Sequence, residues 1–78
     1  MTLTYDPRYN IAYLRLKDRT EEVETIGVSE SLAVDLSPDG TVYGIELLNA
    51  DEQLLGDDGA SLEIINDALA ERQVVRFA

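Results

Sequence analysis

Between Leu32 and Leu47 apolar and polar side chains alternate with a period of two, interrupted once by Pro38-Asp39-Gly40. This rhythm constrains the fold more than any other feature, because a strand sends successive side chains to opposite faces. Leu32, Val34 and Leu36 share one face, and Tyr43, Ile45 and Leu47 share one face of the next run. An Asp-Gly pair between two such runs signals a hairpin. A type I turn with a glycine bulge would set Leu36 against Val42 and Leu32 against Glu46. A tight type I′ turn at Asp39-Gly40 would set Leu36 against Tyr43, Val34 against Ile45 and Leu32 against Leu47. A one-residue slip turns every side chain to the other face, so matching apolar with apolar selects the tight turn.

The segments before this hairpin read as further strands. Residues 2–6 place Leu3 and Tyr5 on one face, and residues 11–17 separate Ala12, Leu14 and Leu16 from Tyr13, Arg15 and Lys17. Between them Asp6-Pro7 can close an Asx-type turn and Asn10 tolerates left-handed backbone. Residues 23–28 form a weaker strand, with Gly27 hinting at a bulge. After the hairpin the period changes. Asn49 can cap a short helix that Asp51 and Glu52 favour electrostatically and Gly56 ends. From Ser61, Leu62, Ile65 and Leu69 recur at helical spacing with Ile64 and Ala68, which predicts an amphipathic helix. Residues 73–78 read as a tail, an edge strand or part of a dimer contact.

The chain has 78 residues, one domain's worth. At this size folding buries roughly 60% of the unfolded chain's surface, which leaves stability marginal. With no cysteine and no histidine, disulfides, thiolate zinc sites and the commonest general base are excluded. Oligomerisation is the cheapest remaining way to cover apolar surface, so a homodimer or a partner protein is expected. No apolar run approaches the ~20 residues of a membrane-spanning helix and no basic and apolar signal region follows Met1. The absence of cysteine is compatible with a reducing cytoplasm, the expected compartment. The formal net charge is −10, which disfavours nucleic acid as a partner. Residues 1–19 hold four basic and two acidic side chains, a balance of +2, whereas residues 20–78 hold two basic and fourteen acidic, a balance of −12. A basic protein is the partner that this asymmetry favours.

Residues 35–46 also fit a calcium-loop template, with Asp35, Ser37 and Asp39 at alternate ligand positions, Gly40 at the turn and Glu46 at the bidentate place. The template requires flanking helices, whereas the incoming residues have a period of two and Pro38 falls inside the loop. A solvated hairpin turn accounts better for the same residues, and no metal site is assigned. Tyr9, Tyr13, Arg15 and Lys17 form the one basic and aromatic grouping, which could stack and pair with nucleic acid. It reads better as a strand face that is solvated or covered by an acidic helix of the chain or its twin. No serine or threonine has a base to activate it, so no catalytic residue and no cofactor is assigned.

The two blocks "YDPRYNIAYLRL" and "LAVDLSPDGTVYGIELLNADEQL" resemble, in order, a bacterial and archaeal family of small proteins known as domain of unknown function 2283, DUF2283. Tyr5, Asp6, Pro7, Tyr13, Leu14, Leu16, Asp35, Gly40, Gly44, Ile45, Glu46, Leu48, Asn49 and Ala50 carry the resemblance, which spans residues 3 to 55. Arg8-Tyr9-Asn10 and Asp51 depart from the family pattern. The resemblance implies a compact antiparallel sheet and no mechanism.

The expectation is therefore an α+β domain: antiparallel strands over 1–48 (four to five of them), a helical region over 49–72 with its C-terminal helix packed on one face of the sheet, and a tail or edge strand over 73–78. The leading functional reading is a non-enzymatic, homodimeric interaction module, antitoxin-like in binding a basic protein. The alternatives are a weak divalent-metal binder using Asp35, Ser37, Asp39 and Glu46, and an enzyme of unidentified chemistry.

Overall fold

The computed structural model describes residues 1–18 and 22–78. Seven strands and one short helix follow in the order β1 (Thr2–Asp6), β2 (Ile11–Arg15), β3 (Glu24–Ser29), β4 (Leu32–Leu36), β5 (Val42–Leu48), α1 (Ala50–Leu54), β6 (Ser61–Asn66) and β7 (Glu71–Arg76). The first five make one sheet in the order β1-β2-β5-β4-β3, and β6 and β7 form a separate two-stranded ribbon. All neighbours are antiparallel. The longest strand, β5, lies at the centre, where it pairs on both edges.

Alternation along each strand becomes rows across the sheet. Leu3, Leu14, Ile45, Val34 and Ile26 are successive partners, one from each strand. Tyr5, Ala12, Leu47 and Leu32 form the next row on that face. The opposite face carries Thr2, Arg15, Gly44, Asp35 and Thr25 in one row, and Thr4, Tyr13, Glu46, Ala33 and Gly27 in another. One face is thus apolar and the other polar, as an antiparallel sheet with one solvated side requires.

The β4–β5 hairpin combines the two registers weighed from sequence. Val34 faces Ile45 and Leu32 faces Leu47, as the apolar match demands. At the turn, however, Leu36 pairs with Val42, and the register shifts between Asp35 and Leu36. Gly40 donates to the Ser37 carbonyl at 2.9 Å and has φ of 85°, so a Pro38-Asp39-Gly40 loop with a glycine bulge replaces the tight turn. Pro38 explains the choice: its fixed φ suits the first central position of a type I turn. The bulge adds one residue to β5 and so restores the apolar register beyond it. The irregularity expected at Gly27 is also present, between Gly27 and Ser29.

The α+β expectation is overturned. The only helix among the described residues is α1, and the predicted C-terminal amphipathic helix is the β6–β7 hairpin. The helical span expected over 49–72 therefore shrinks to Ala50–Leu54, and residues 73–78, expected as a tail or an edge strand, belong largely to strand β7. Leu62, Ile65 and Leu69 fit a helical stripe, but Leu62 and Ile64 fit alternation equally, and short apolar runs do not separate the two periods. Tertiary pairing decides: six consecutive partners from Ser61↔Arg76 to Asn66↔Glu71 give residues 73–76 a paired edge, which a helix at 61–72 would leave without one. Ile64, Ile65, Val74 and Val75 are β-branched and suit a pleated ribbon. Residues 67–70 make the connection, with Ala70 at φ of 53°.

Asn49 does not cap α1 through its side chain; it is itself left-handed, with φ of 53°. Asn10 supplies the cap instead. Its carbonyl accepts the Ala50 N–H at 3.0 Å and its Oδ1 accepts the Asp51 N–H at 2.7 Å. The left-handed Asn10 (φ 58°) thereby ties the β1–β2 turn to α1. No helix among the described residues is long and apolar enough to cross a membrane.

The molecule measures 35 × 34 × 19 Å with a radius of gyration of 14.0 Å, against about 11.5 Å for a compact domain of this length. The buried hydrophobic residues are Ala12, Tyr43, Ala50 and Ala60. The shape is a single sheet with a hairpin arm; on the apolar face Ala12 is buried and Phe77 meets Tyr5, while Leu14, Val34 and Ile45 are only half-buried.

Candidate functional site

The polar face carries a hydrogen-bonded brace that spans four strands. Tyr13 on β2 donates its hydroxyl to Asp35 Oδ2 on β4 at 2.7 Å, and Thr25 on β3 donates to Asp35 Oδ1 at 2.6 Å. Strands β2 and β4 are not neighbours, and two inter-strand spacings come to roughly 9.6 Å. The Tyr13 ring therefore crosses β5, and it does so over Gly44, which is buried. A Cβ at Gly44 would overlap Tyr13 Oη and Cζ and lie 2.8 Å from Cε1. Here glycine serves close approach, since its own backbone has no positive φ.

Burial and the hydrogen bond to the Asp35 carboxylate both push the Tyr13 phenol above its usual range. The phenol is held as a neutral donor, the state a brace needs. Because the folded-state value is raised, this stabilisation is complete below the unfolded phenol value of about 10 and is lost as pH climbs towards the folded value. The alkaline absorbance difference between wild type and Tyr13→Phe isolates this group, and its midpoint is expected well above about 10. A midpoint at the ordinary value would remove the brace from the account. The same substitution is expected to cost about 1 kcal/mol in urea unfolding, with the cost shrinking at alkaline pH.

Arg15 shares the face, and its Nη2 donates to Thr2 Oγ1 at 3.3 Å. Lys17 reaches the β4–β5 turn, donating to Ser37 Oγ at 3.2 Å and to Thr41 Oγ1, with Asp39 at 3.7 Å. Asp39 accepts from the Thr41 hydroxyl at 2.7 Å and from the Thr41 N–H at 3.1 Å, and these bonds hold its carboxyl below the usual range. The four calcium candidates consequently do not converge. Asp35 receives two hydroxyls, Ser37 and Asp39 lie against the Lys17 ammonium, and Glu46 sits beside Tyr13 in the next row. Among the described residues no three acidic side chains gather to hold a metal ion.

The other motif positions serve turns. Asp6 Oδ1 accepts the Arg8 N–H at 3.0 Å, the Asx-type turn read from sequence, and the Arg8 guanidinium bonds both carboxylate oxygens at 3.1 Å. Those bonds, the side-chain one first, lower the Asp6 carboxyl. Pro7 lies in the same turn, and Tyr5, on the apolar face, meets Phe77 edge to face at 6.0 Å. Sequence reasoning missed Thr25, whose partner is ten residues away, and Asn10 as the cap of α1. No local signal marks either, because both partners are brought up by strand pairing.

The geometry defines a class: a single antiparallel sheet braced on its polar face, with an apolar face whose large side chains are only half-buried. Residues 2–50 match the family described as "Protein of unknown function (DUF2283)", and the chain belongs to that family. No curated protein and no solved structure matches it.

Proposed function

We propose that the chain is a non-enzymatic protein-interaction module whose apolar sheet face is buried in an assembly, leaving its acid-rich remainder for a basic partner. One observation carries the reading. The two central apolar rows contain no charged residue, yet among the described residues no large side chain, on these rows or elsewhere, is fully buried. A sheet stabilises a domain by packing one face against another layer, so such a face is incomplete alone. The −12 balance over residues 20–78 supports a basic partner of the antitoxin-bound kind.

The test is capture from the native host at low salt with three baits: wild type, Val34→Asp on the apolar face and Thr4→Asp on the polar face. Wild type and Thr4→Asp are expected to retain protein, the chain's own copies included, and Val34→Asp to lose it. Far-UV circular dichroism confirms that each bait is folded. Wild type retaining nothing would end the reading.

A further inference from the structure

The chain exposes far more surface than its mass requires. Its accessible area is 5953 Å², whereas a compact monomer of this mass exposes about 4,700 Å². The excess, roughly 1,250 Å², exceeds the ~800 Å² that each partner contributes to a standard interface. Two features account for it. One is the half-buried apolar sheet face; the other is the β6–β7 hairpin, whose strand residues are all exposed. An isolated two-stranded hairpin is marginal in water. This one is held at its base, where Ala60 and Ala78 exchange backbone hydrogen bonds and Phe77 meets Tyr5. Beyond the base it projects as an arm.

The two faces of the arm differ. One carries the Leu62–Val75 and Ile64–Gln73 pairs, uncharged until Glu71 near the tip. The other carries Ile65 and Val74 together with the Glu63–Arg72 ion pair at 3.0 Å. Leu62, Ile64 and Val75 are 42%, 48% and 46% exposed. This uncharged ribbon matches the uncharged rows of the sheet in chemistry and in pleat. A partner that supplies both the arm and the face is a second copy of the chain.

Resting on the interaction-module reading, we infer that two copies form a reciprocal dimer in which the Leu62–Ile64–Val75 face of each β6–β7 arm covers the Leu14–Ile45–Val34 row of the other. The contact is isologous, so one pairing closes both sites and ends growth. Each copy carries a formal charge of −10, so the copies repel at low ionic strength and the contact between them is apolar. Added salt therefore tightens the dimer several-fold by screening that repulsion.

The native chain has no cysteine, so an introduced one is unique. Full-length Ile64→Cys with a mass tag is mixed with untagged Val34→Cys and mildly oxidised. The expected product is the tagged-to-untagged cross-link, at least tenfold above the product obtained with Thr4→Cys, which lies on the opposite face. In parallel, sedimentation of wild type at about 100 μM should show a dimer. Ile64→Asp should be monomeric, and Ile65→Asp, on the other face of the arm, should remain dimeric. A dimer that cross-links Val34 to Val34 and excludes Ile64 overturns the arm exchange and leaves the sheet face as an interaction surface. A folded wild-type monomer under these conditions overturns the inference, and the host capture then decides the function separately.

Discussion

Tyr43→Ala is expected to abolish cooperative unfolding at room temperature. Tyr43 is 7% exposed, and the other buried hydrophobic residues are the alanines Ala12, Ala50 and Ala60. It is therefore the one large side chain in the core among the described residues. It also sits at the bulge of the central strand, where its carbonyl accepts the Leu16 N–H at 2.8 Å. Truncating a buried aromatic to alanine costs about 3–5 kcal/mol. At about 0.05 kcal/mol per residue, the low end suited to a single-layer sheet, a chain of this length has about 4 kcal/mol to lose. The loss matches the whole. Urea unfolding followed by far-UV circular dichroism measures it, with Tyr43→Phe as the variant that keeps the ring and the transition. Retention of the wild-type midpoint by Tyr43→Ala would show that the central strand does not depend on this side chain.

Gly44→Ala is expected to cost about 2–3 kcal/mol through overpacking and the lost bond to a charged acceptor. The added methyl meets the Tyr13 ring, and there are two ways to relieve it. Either the ring lifts and breaks its 2.7 Å bond to Asp35, or β5 shifts and strains its pairing with β2 and β4. Both answers trace the damage to Tyr13. In a Tyr13→Ala background the same substitution should therefore cost little, since alanine is otherwise no worse than glycine in a strand. The cycle reads the coupling directly, and a value above about 1 kcal/mol is expected. Equal costs in the two backgrounds would show that something other than the crossing ring demands the glycine.

The five-stranded sheet was legible because its signals are local. Alternation marks Thr2–Asp6, Ile11–Arg15, Leu32–Leu36 and Val42–Leu48 as strands, and the Pro38-Asp39-Gly40 turn joins two of them. The tight turn chosen from sequence was wrong at the turn itself and right beyond it. Hydrophobic agreement fixes the pairing of Val34 with Ile45, but it says nothing about a bulge inserted between Asp35 and Leu36. The C-terminal helix was misread because Leu62, Ile65 and Leu69 satisfy one period and Leu62 and Ile64 the other. Residues 61–66 choose the strand only when residues 71–76 come alongside.

Of the polar brace, the residues were visible and the partnership was not. Asp35 stood out as an acid in a calcium-like spacing, Tyr13 as an aromatic beside cations, and Gly44 as part of a motif. Their meeting depends on the strand order β2-β5-β4, which joins segments 22 residues apart.

By itself the sequence determined which faces of the strands are greasy and which are wet, because that follows from spacing along the chain. It also determined an acidic chain without thiol or imidazole chemistry. Only the tertiary structure decided that the tyrosine ring spans the central strand, that the last segment is a ribbon, and that the large side chains of the apolar face stay half-buried. Each of these depends on which distant segments become neighbours, a choice made by backbone pairing and steric room rather than by any local run of residues.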